Sequence, residues 1–512
     1  MTTPAEKRPI NGSTNGSAKK LKSSDVVTIN PSLKDIKNDL RDAFVNSKPQ
    51  KFNNIEIVTE PFKCGVVNNF IKDEEFLKRL KKEIVEEVEF PENNNDLFRF
   101  HQSDDFDSVD LPHVKSLRTC FLTEVKEFLK DITQIDLYDD VVDLTASKYE
   151  YNDHLLCHDD QLEERRIAFI LYLVPGEWSD KDGGAFDMFD RDENGQPKNI
   201  ARSYYPKWNN FVFFEVTPQS YHQVREVLSQ DKIRVSVNGW FRGPKPNFPK
   251  MMFIETYTDV VKCGEVEIEE NDLRSWLNPL FLKDETQLQV MVEFKDTSEI
   301  NLSDFLQQEK YHEVCQMLSS DLLEWSIKGP PNRRRYYKLN IDSAPPLARA
   351  LVQLFQSEAM FLIISNLSGI KYHPLAPDTS DSESESDNSS EEEPQPKPDK
   401  PTKVRNPRVT VEIRKWTQGC YTVVHDHDIE VLDDQPKLDC VLHFAHDGET
   451  NRDHGGYISY IAKEANGELL AVEPQSNNLS LVYRDSETTR FVKYLNVSHK
   501  DVYYDISLIF QQ

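Results

Sequence analysis

The fold is decided by the runs RRIAFILYLVP (165–175), NNFVFFEVTP (209–218), YHQVREVL (221–228) and DKIRVSVNGWFRG (231–243). A further run, LTASKYEY (144–151), comes shortly before them. All are rich in β-branched and aromatic residues, and Gly, Asp, Asn and Pro separate them, which is typical of strands joined by turns. Strands spaced this closely predict a mainly β protein, built as a double-sheet jelly roll with helices packed outside it.

A second series of β-rich runs fills the C-terminal part of the chain. Its members are VTVEIRKWTQGCYTVVHDHD (409–428), KLDCVLHFAH (437–446), GGYISYIAKE (455–464), NNLSLVYR (477–484) and DVYYDISLIFQ (501–511). The pair Gly183-Gly184 has an echo in Gly455-Gly456, and Asn209-Asn210 has one in Asn477-Asn478. The helix-like stretch 64–84 likewise has a counterpart at 300–318. Because these echoes keep the same order along the chain, they indicate duplication of one fold.

The length of 512 residues and the 38% apolar content predict two domains with separate cores. We expect a disordered basic tail over 1–30, a first domain over 31–245 and a second over 246–512. An acidic, low-complexity insert at 374–408 should interrupt the second domain, because it cannot bury enough apolar surface to fold. Apolar residues at helical spacing predict helices over 34–46 and 74–88, the latter after an Asp cap.

Charge and cysteine usage limit the environments in which the chain works. The net charge of −27 should repel phosphate backbones and attract basic proteins. The seven cysteines form no CxxC pair and no signal peptide is evident, which predicts free thiols in a reducing compartment. No apolar run is long enough to predict a membrane helix. Basic clusters at 7–8 and 19–22 resemble a bipartite import signal, so we expect the protein in nucleus and cytoplasm.

The segment Cys157-His158-Asp159-Asp160 contains a His-x-Asp pair, and His222 follows in a later strand. On a strand, residues i and i+2 point to the same side, so His158 and Asp160 are predicted to share one metal ion. Two imidazoles and one carboxylate are the ligand set of non-haem iron(II) sites, in which open positions remain. The same set also serves zinc hydrolases, which leaves that alternative open.

Arg234 lies twelve residues after His222, within the predicted strand IRVSVNGWF. A buried guanidinium inside a small barrel is costly unless an anion meets it, and a carboxylate co-substrate would do so with two hydrogen bonds. A salt bridge to a neighbouring acid is the alternative. Tyr172 is placed to add a phenolic hydrogen bond to the same carboxylate, and Tyr149 lies one strand earlier near the same pocket.

With these residues in place, the chain resembles the prolyl hydroxylase branch of the 2-oxoglutarate oxygenases. It is most similar to the ribosomal prolyl 3-hydroxylases, also called oxygenase-domain-containing or termination-and-polyadenylation proteins. The resemblance covers nearly the whole chain and is carried by KYEYNDHLLCHDD (148–160), RRIAFILYLVP (165–175), FVFFEVTPQSYHQVREVLS (211–229) and RVSVNGWFRGP (234–244).

The resemblance implies two tandem double-stranded β-helix domains, of which only the first is catalytic. It implies Fe(II) held by His158, Asp160 and His222, with 2-oxoglutarate held by Tyr172 and Arg234 near Tyr149. Dioxygen would be the oxidant and L-ascorbate the reductant. The implied reaction is 3-hydroxylation of a proline in a basic small-subunit ribosomal protein near the decoding centre, with an effect on translation accuracy or termination.

The second domain departs from the motif. Its HDHD (425–428) contains no His-x-Asp, and no arginine occurs in KDVYYDISLIFQQ (500–512). It is therefore predicted not to be catalytic, and either packs against the first domain or holds a partner such as a translation factor. Other readings of the whole chain are an oxygenase acting on another protein side chain or on nucleic acid, and a non-catalytic translation scaffold. The acidic charge disfavours a nucleic-acid substrate.

Overall fold

The computed structural model describes residues 27–162, 164–248, 260–376, 406–424, 435–445, 451–463 and 467–512. We call residues 27–248 the first half and residues 260–512 the second half. The predicted import signal, most of the acidic insert and the HDHD segment lie outside the described residues.

The strands of the first half form one antiparallel sheet system. They are β1 Gln50–Lys51, β2 Ile55–Val58, β3 Cys64–Val67, β4 Glu92–Asn94, β5 Phe98–Gln102, β6 Val142–Tyr149, β7 His154–His158, β8 Arg165–Tyr172, β9 Phe186–Arg191, β10 Pro197–Tyr204, β11 Phe211–Glu215, β12 His222–Val224 and β13 Arg234–Arg242. The five runs that predicted strands correspond to β6, β8, β11, β12 and β13, so this part of the prediction is confirmed.

The strands of the second half form two further sheets. They are β14 Val260–Lys262, β15 Glu299–Ser303, β16 Trp325–Lys328, β17 Arg334–Leu339, β18 Arg408–Trp416, β19 Tyr421–Thr422, β20 Lys437–Phe444, β21 Ile458–Ala462, β22 Glu468–Val472, β23 Asn478–Arg484, β24 Thr488–Val492 and β25 Tyr503–Gln511.

Helices cover one face of the main sheet in each half. In the first half they are α1 Ser32–Asp35, α2 Lys37–Val45, α3 Glu74–Glu87, α4 Pro112–Cys120 and α5 Lys126–Thr133, with a π-helical turn Phe121–Val125 between the last two. In the second half they are α6 Glu270–Trp276, α7 Asp284–Thr297, α8 Gln308–Leu318, α9 Pro346–Gln356 and α10 Glu358–Ser368. Asp73 caps α3 by accepting hydrogen bonds from the backbone N–H groups of Glu75 and Phe76, as predicted.

The two halves have the same strand order. The order β3-β11-β8-β13-β6 in the first half recurs as β15-β23-β20-β25-β18 in the second, and β12-β9-β10 recurs as β24-β21-β22. Asn209 and Asn477 also match in detail, since both have a positive φ (56° and 55°). Each side-chain oxygen accepts a backbone N–H, from Ile71 and Leu306 respectively. The echoes in the sequence therefore mark equivalent positions.

Each half has its own apolar core between its helices and its main sheet. In the first half, Val235, Val237 and Phe241 of β13 face the helices and pack in one cluster with Phe121 and Leu129. The opposite face of β13 begins with Arg234, so alternation along this strand separates the helix-side core from the space between the sheets.

Three boundaries differ from the sequence prediction. Val27 and Ile29 are buried, so ordered packing begins inside the predicted tail, because these apolar residues have a core to join. Ala376 is also buried and β18 begins at Arg408, so both ends of the predicted insert belong to the fold. The stretches 64–84 and 300–318 each begin with a strand, β3 or β15, and only then become helical. β3 pairs with β2 and β11 inside its sheet, and β15 pairs with β23 at the edge of its sheet, and this pairing outweighs helical spacing.

No single helix in the described part of the chain is long and apolar enough to cross a membrane. The helices α9 and α10 pass that test only as a pair bent by 52°. Their buried residues lie in the apolar core of the second half.

The two halves meet through a buried carboxyl group. Glu226 is 4% exposed and accepts hydrogen bonds from the Tyr494 hydroxyl (3.1 Å) and the Val497 backbone N–H (2.7 Å). Burial raises the pKa of Glu226 to about 7, although those donors and Lys500 act in the opposite direction. The carboxyl therefore binds its proton more tightly in the folded chain than in the unfolded one.

Replacing Glu226 with glutamine should change the pH dependence of stability. The folded wild type holds a proton that the unfolded chain releases near pH 4.5, so its free energy of unfolding falls as pH rises from about 4.5 to about 7. Glu226→Gln removes this loss. Urea unfolding at about pH 5 and about pH 8 should show the variant gaining up to roughly 3 kcal/mol relative to wild type at the higher pH. A difference that does not vary with pH would contradict this expectation.

Candidate metal centre

Two neighbouring strands bring the predicted histidines together. His158 is the last residue of β7, and His222 is the first residue of β12. The two strands are antiparallel, and these residues are direct cross-strand partners. Their ring centroids are 4.2 Å apart. The short cross-strand spacing of a sheet thus places both imidazoles on one side of the same sheet.

Asp160 reaches this position by a route that differs from the prediction. It lies two residues beyond the end of β7 and has a φ of 62°. The left-handed backbone turns its carboxylate back towards the histidines, so strand alternation is not the cause. The Asp160 oxygens lie 3.5 Å from Nε2 of His158 and 3.4 Å from Nε2 of His222. Ligand atoms of all three residues lie within 4.8 Å of one another.

Backbone carbonyls orient both imidazole rings. Nδ1 of His158 lies 2.7 Å from the Leu156 carbonyl oxygen, and Nδ1 of His222 lies 2.8 Å from the Ser220 carbonyl oxygen. A carbonyl only accepts, so Nδ1 carries a proton in each ring, and Nε2 is the nitrogen available to Asp160 or to a metal. Although burial opposes ionisation of Asp160, the two histidines hold its pKa well below the usual range. A metal ion bound in place of the contacts between Nε2 and Asp160 would therefore have one anionic carboxylate and two imidazole nitrogens as ligands.

Apolar side chains close one side of the cluster. The rings of Phe214 and Phe186 lie 4.7 and 5.4 Å from the His222 ring, measured between centroids. Both phenylalanines are fully buried, and Met188 packs with them. Such a wall excludes water from one side of a bound ion and lowers the local dielectric constant.

Arg234 enters the space between the sheets next to this cluster. It is 1% exposed, and its Nε donates to the Gly184 carbonyl oxygen at 3.0 Å. Its Nη1 lies 3.4 Å from the Ser236 hydroxyl. Its Nη2 is buried and has no hydrogen-bond partner among the described residues. The alternative for Arg234, a salt bridge, does not form with any described residue, so the described structure gives the guanidinium no counter-anion.

Tyr172 and Tyr149 flank the guanidinium. The Cζ of Arg234 lies 5.1 Å from the centre of the Tyr172 ring and 4.8 Å from that of Tyr149. The buried Tyr172 hydroxyl, like Nη2, finds no partner in the described structure. Burial raises the pKa of both phenols, so both remain protonated donors at neutral pH. Leaving two buried donors unsatisfied is costly, which points to an acceptor that binds between them.

Sequence reasoning missed the residues that hold Arg234 and the histidines. Ser236 and the carbonyls of Leu156 and Ser220 carry no motif that marks them. Gly184 did carry a signal, because the Gly183-Gly184 pair was recognised as part of the repeat. Its φ is +66°, and a Cβ there would lie 2.9 Å from the Arg234 side chain. Glycine is thus required where the guanidinium passes the backbone.

The equivalent positions in the second half carry different side chains. His222 pairs with the residue four positions after Gly184, and Arg490 of β24 pairs with the residue four positions after Gly456, so Arg490 occupies the position of His222. The Arg490 guanidinium forms an ion pair with Asp439 at 3.2 Å. Tyr503 opens β25 as Arg234 opens β13, and its hydroxyl donates to the Gly456 carbonyl oxygen at 2.6 Å. His158, Asp160 and His222 form the group of potential metal ligands found within the described ranges.

Comparison with known proteins agrees with this geometry. The model of the 2OG-Fe(II) oxygenase superfamily matches residues 144–242, which contain the whole cluster and Arg234. The C-terminal model described as oxoglutarate and iron-dependent oxygenase degradation matches residues 268–512. Prolyl 3-hydroxylase OGFOD1 of Mus musculus is 38% identical over 478 residues, covering 86% of this chain and 86% of the relative. The chain belongs to the prolyl 3-hydroxylase family.

Two further members of the prolyl 3-hydroxylase family match over similar lengths. Prolyl 3-hydroxylase OGFOD1 of Xenopus laevis is 38% identical, covering 90% of this chain and 88% of its own. Prolyl 3-hydroxylase sudestada1 of Drosophila melanogaster is 27% identical, covering 86% and 81%. The chain is therefore a 2-oxoglutarate-dependent oxygenase, and the zinc-hydrolase and scaffold alternatives are wrong.

The side chains present fit the cofactors that this family implies. Two imidazole lone pairs and one carboxylate are suited to Fe(II) and leave coordination positions open. The unsatisfied Arg234 Nη2 and Tyr172 hydroxyl are suited to the distal carboxylate of 2-oxoglutarate. Fe(II) would bind the imidazole nitrogens and the Asp160 carboxylate, and 2-oxoglutarate would accept hydrogen bonds from Arg234 and Tyr172.

Proposed function

We propose that this protein hydroxylates a prolyl residue of a small-subunit ribosomal protein near the decoding centre, at C3 of the ring. The observation that supports the oxygenase site is the buried guanidinium of Arg234 beside the three-residue cluster, whose Nη2 has no acceptor among the described residues. A guanidinium so placed needs a carboxylate, and 2-oxoglutarate supplies one.

In this proposal each residue has a separate task. His158, Asp160 and His222 hold Fe(II), and the Leu156 and Ser220 carbonyls fix the planes of the two imidazoles. Arg234 and Tyr172 bind the distal carboxylate of 2-oxoglutarate, and the Tyr149 ring lines the same pocket. When bound, the metal and 2-oxoglutarate supply the oxidising power that inserts one oxygen atom of O2 into a C–H bond, with L-ascorbate keeping the metal reduced.

Three considerations support the substrate. The relatives reported above are named prolyl 3-hydroxylases, and the chain resembles the ribosomal members of that group. The chain carries a net charge of −27, which favours approach to basic proteins such as those of the ribosome. An acidic surface disfavours direct binding of a phosphate backbone, so a nucleic-acid substrate is a weaker candidate.

Loss of the chain should remove a +16 Da modification from one proline of a small-subunit ribosomal protein. Mass spectrometry of ribosomal proteins from cells with and without the chain would measure this. Re-expression of wild type should restore the modification, and Asp160→Asn should not. A +16 Da shift that stays in cells lacking the chain, or that lies on lysine, would contradict the substrate proposal. Fragmentation cannot separate C3 from C4, so the hydrolysed hydroxyproline should be compared with 3- and 4-hydroxyproline standards.

We further propose that the chain consists of two double-stranded β-helix domains, a catalytic one at 31–245 and a second one at 246–512. The shared strand order and the matching Asn209 and Asn477 support this duplication. Arg490 and Tyr503 in place of a ligand and of the anchoring arginine support a second domain without catalysis. Its remaining outward surface is proposed to contact translation factors.

We also propose that the protein works in both nucleus and cytoplasm. The two basic clusters of the N-terminal segment, at 7–8 and 19–22, support import. A fluorescent fusion in which Lys19 and Lys20 are replaced by alanine should shift towards the cytoplasm.

A further inference from the structure

The segment Lys493–His499 of the second half, which we call the docking loop, lies against three parts of the first half. Lys493 donates to Asn94 at 2.5 Å and to the Asn95 carbonyl oxygen. Ser498 and Asn152 exchange side-chain hydrogen bonds at 3.0 and 3.3 Å. Tyr494 and Val497 donate to Glu226. The parts that it contacts are the β4 hairpin, the start of β7 and the chain that follows β12.

The contact at β7 lies directly behind His158. The ring of Tyr494 lies 4.2 Å from the ring of His154, the first residue of β7. Leu156, in the middle of the strand, is buried in a cluster with Tyr421 and Val423 of the second half. The carbonyl of Leu156 is the group that orients the His158 ring. The second half therefore packs on the residue whose backbone sets the plane of one metal ligand.

The contact at Glu226 lies behind His222 and Arg234. Glu226 follows β12 by two residues, and its backbone carbonyl accepts from the Gly184 N–H at 3.0 Å. The Gly184 carbonyl in turn accepts from Nε of Arg234 at 3.0 Å. Three hydrogen bonds, linked covalently within Glu226 and within Gly184, thus connect the Tyr494 hydroxyl to the guanidinium.

The two contacts are joined within the first half. The Asn152 N–H donates to the Val227 carbonyl, and the Val227 N–H donates to the Asp153 carbonyl. These bonds tie the segment entering β7 to the segment leaving β12. A displacement of the docking loop would therefore act on both ligand-bearing strands together, because both are fixed at the same point.

We infer that Tyr494 of the second half is a positioning residue for the oxygenase site, holding β7 and β12 in the register that brings His158 and His222 together. This role rests on the proposed metal and co-substrate site of the first half. It gives the second half a share in cofactor binding, although it supplies no ligand. Tyr494 touches neither cofactor and acts through His154 and Glu226.

Tyr494→Phe tests the inference, and Tyr336→Phe is its matched control. Tyr336 also donates its hydroxyl to a glutamate, the half-buried Glu412, at 2.8 Å, and its ring contacts Trp416 and Arg414 belong to the second half. Binding of Mn²⁺ followed by electron paramagnetic resonance, with and without 2-oxoglutarate, reports on the site without turnover. Tyr494→Phe should weaken both affinities roughly fivefold, a typical coupling between packed neighbours. Tyr336→Phe should stay within about twofold of wild type.

Amide hydrogen exchange in the metal-free chain gives an independent readout. Peptides covering 154–160 and 222–228 should exchange faster in Tyr494→Phe than in Tyr336→Phe. In Glu226→Gln, which can still bond Tyr494 and Val497, the same peptides should exchange no faster than in wild type. If the two tyrosine variants matched in exchange and in Mn²⁺ affinity while losing similar thermal stability, the positioning role would be overturned. Failure of the wild type to bind Mn²⁺ would instead overturn the proposed site, and the exchange comparison would still decide the role of Tyr494.

Discussion

Asp160→Asn should abolish succinate formation from 2-oxoglutarate, whereas Asp159→Asn should leave most of it. Asp160 lies 3.5 and 3.4 Å from the two histidine Nε2 atoms, and its carboxylate supplies the negative charge of the cluster. Loss of an outer-shell partner alone costs about 10- to 100-fold in metal affinity or activity, so loss of a ligand should exceed a hundredfold. Asp159 is the adjacent carboxylate and serves mainly to accept the Gln161 N–H at 3.1 Å, which asparagine can still do.

The measurement is succinate release with Fe(II), 2-oxoglutarate and ascorbate supplied, together with thermal unfolding of each variant. Asp160→Asn should remain folded, because it keeps the side-chain shape, although it loses the attraction between the carboxylate and the two histidines. Equal activity of the two variants would show that the three-residue cluster is not the metal site. His158→Ala and His222→Ala should repeat the loss seen for Asp160→Asn.

Arg234→Ala should raise the 2-oxoglutarate concentration needed for half-maximal turnover by about a hundredfold or more. Breaking a buried ion pair by removing one partner costs about 3–5 kcal/mol, and the co-substrate carboxylate would lose this arginine as its partner. Arg234→Lys should lie between wild type and alanine, because lysine keeps the charge but not the planar pair of donors. The rate at saturating 2-oxoglutarate should change much less than the concentration requirement.

Arg225 provides the matched control for this arginine. It directly follows β12 and donates to both carboxylate oxygens of Asp187, at 2.9 and 2.8 Å, so it is a structural arginine that already has its counter-anion. Arg225→Lys should lower stability and leave the 2-oxoglutarate requirement close to wild type. An unchanged requirement in Arg234→Ala would remove Arg234 from the co-substrate site.

The sequence predicted that His158, Asp160 and His222 lie together, but not the backbone conformation that places Asp160. The motif identified His158 and Asp160, and the alternation rule placed them on one strand face. The structure instead ends β7 at His158 and places Asp160 at a φ of 62°. A positive φ at a non-glycine residue is set by surrounding packing and has no local sequence signature apart from a modest preference for Asp and Asn. The Arg234 prediction depended only on burial and charge; the structure buries the guanidinium, and its role in binding the co-substrate stays a prediction.

The contact between the halves could not be predicted from the sequence. Glu226 and Tyr494 are separated by 268 residues, and neither belongs to a motif. The repeat was detectable because equivalent turns need the same residues, such as the asparagines with positive φ. Helical spacing at 64–67 and 300–303 misled because the residues there pair with neighbouring strands, and tertiary pairing overrides local preference.

The ion pair of Arg490 with Asp439 bears on how the rigidity of each half depends on metal and 2-oxoglutarate. A cationic side chain stands at the register position of His222, and Asp439 is held anionic by Arg490 and Arg484 despite its burial. The described residues of this half thus neutralise these charges among themselves, and no group of potential metal ligands is found among them. In the first half, bound metal and 2-oxoglutarate would neutralise the Asp160 carboxylate and the Arg234 guanidinium. We therefore expect the rigidity of this half to depend on the concentrations of both ligands.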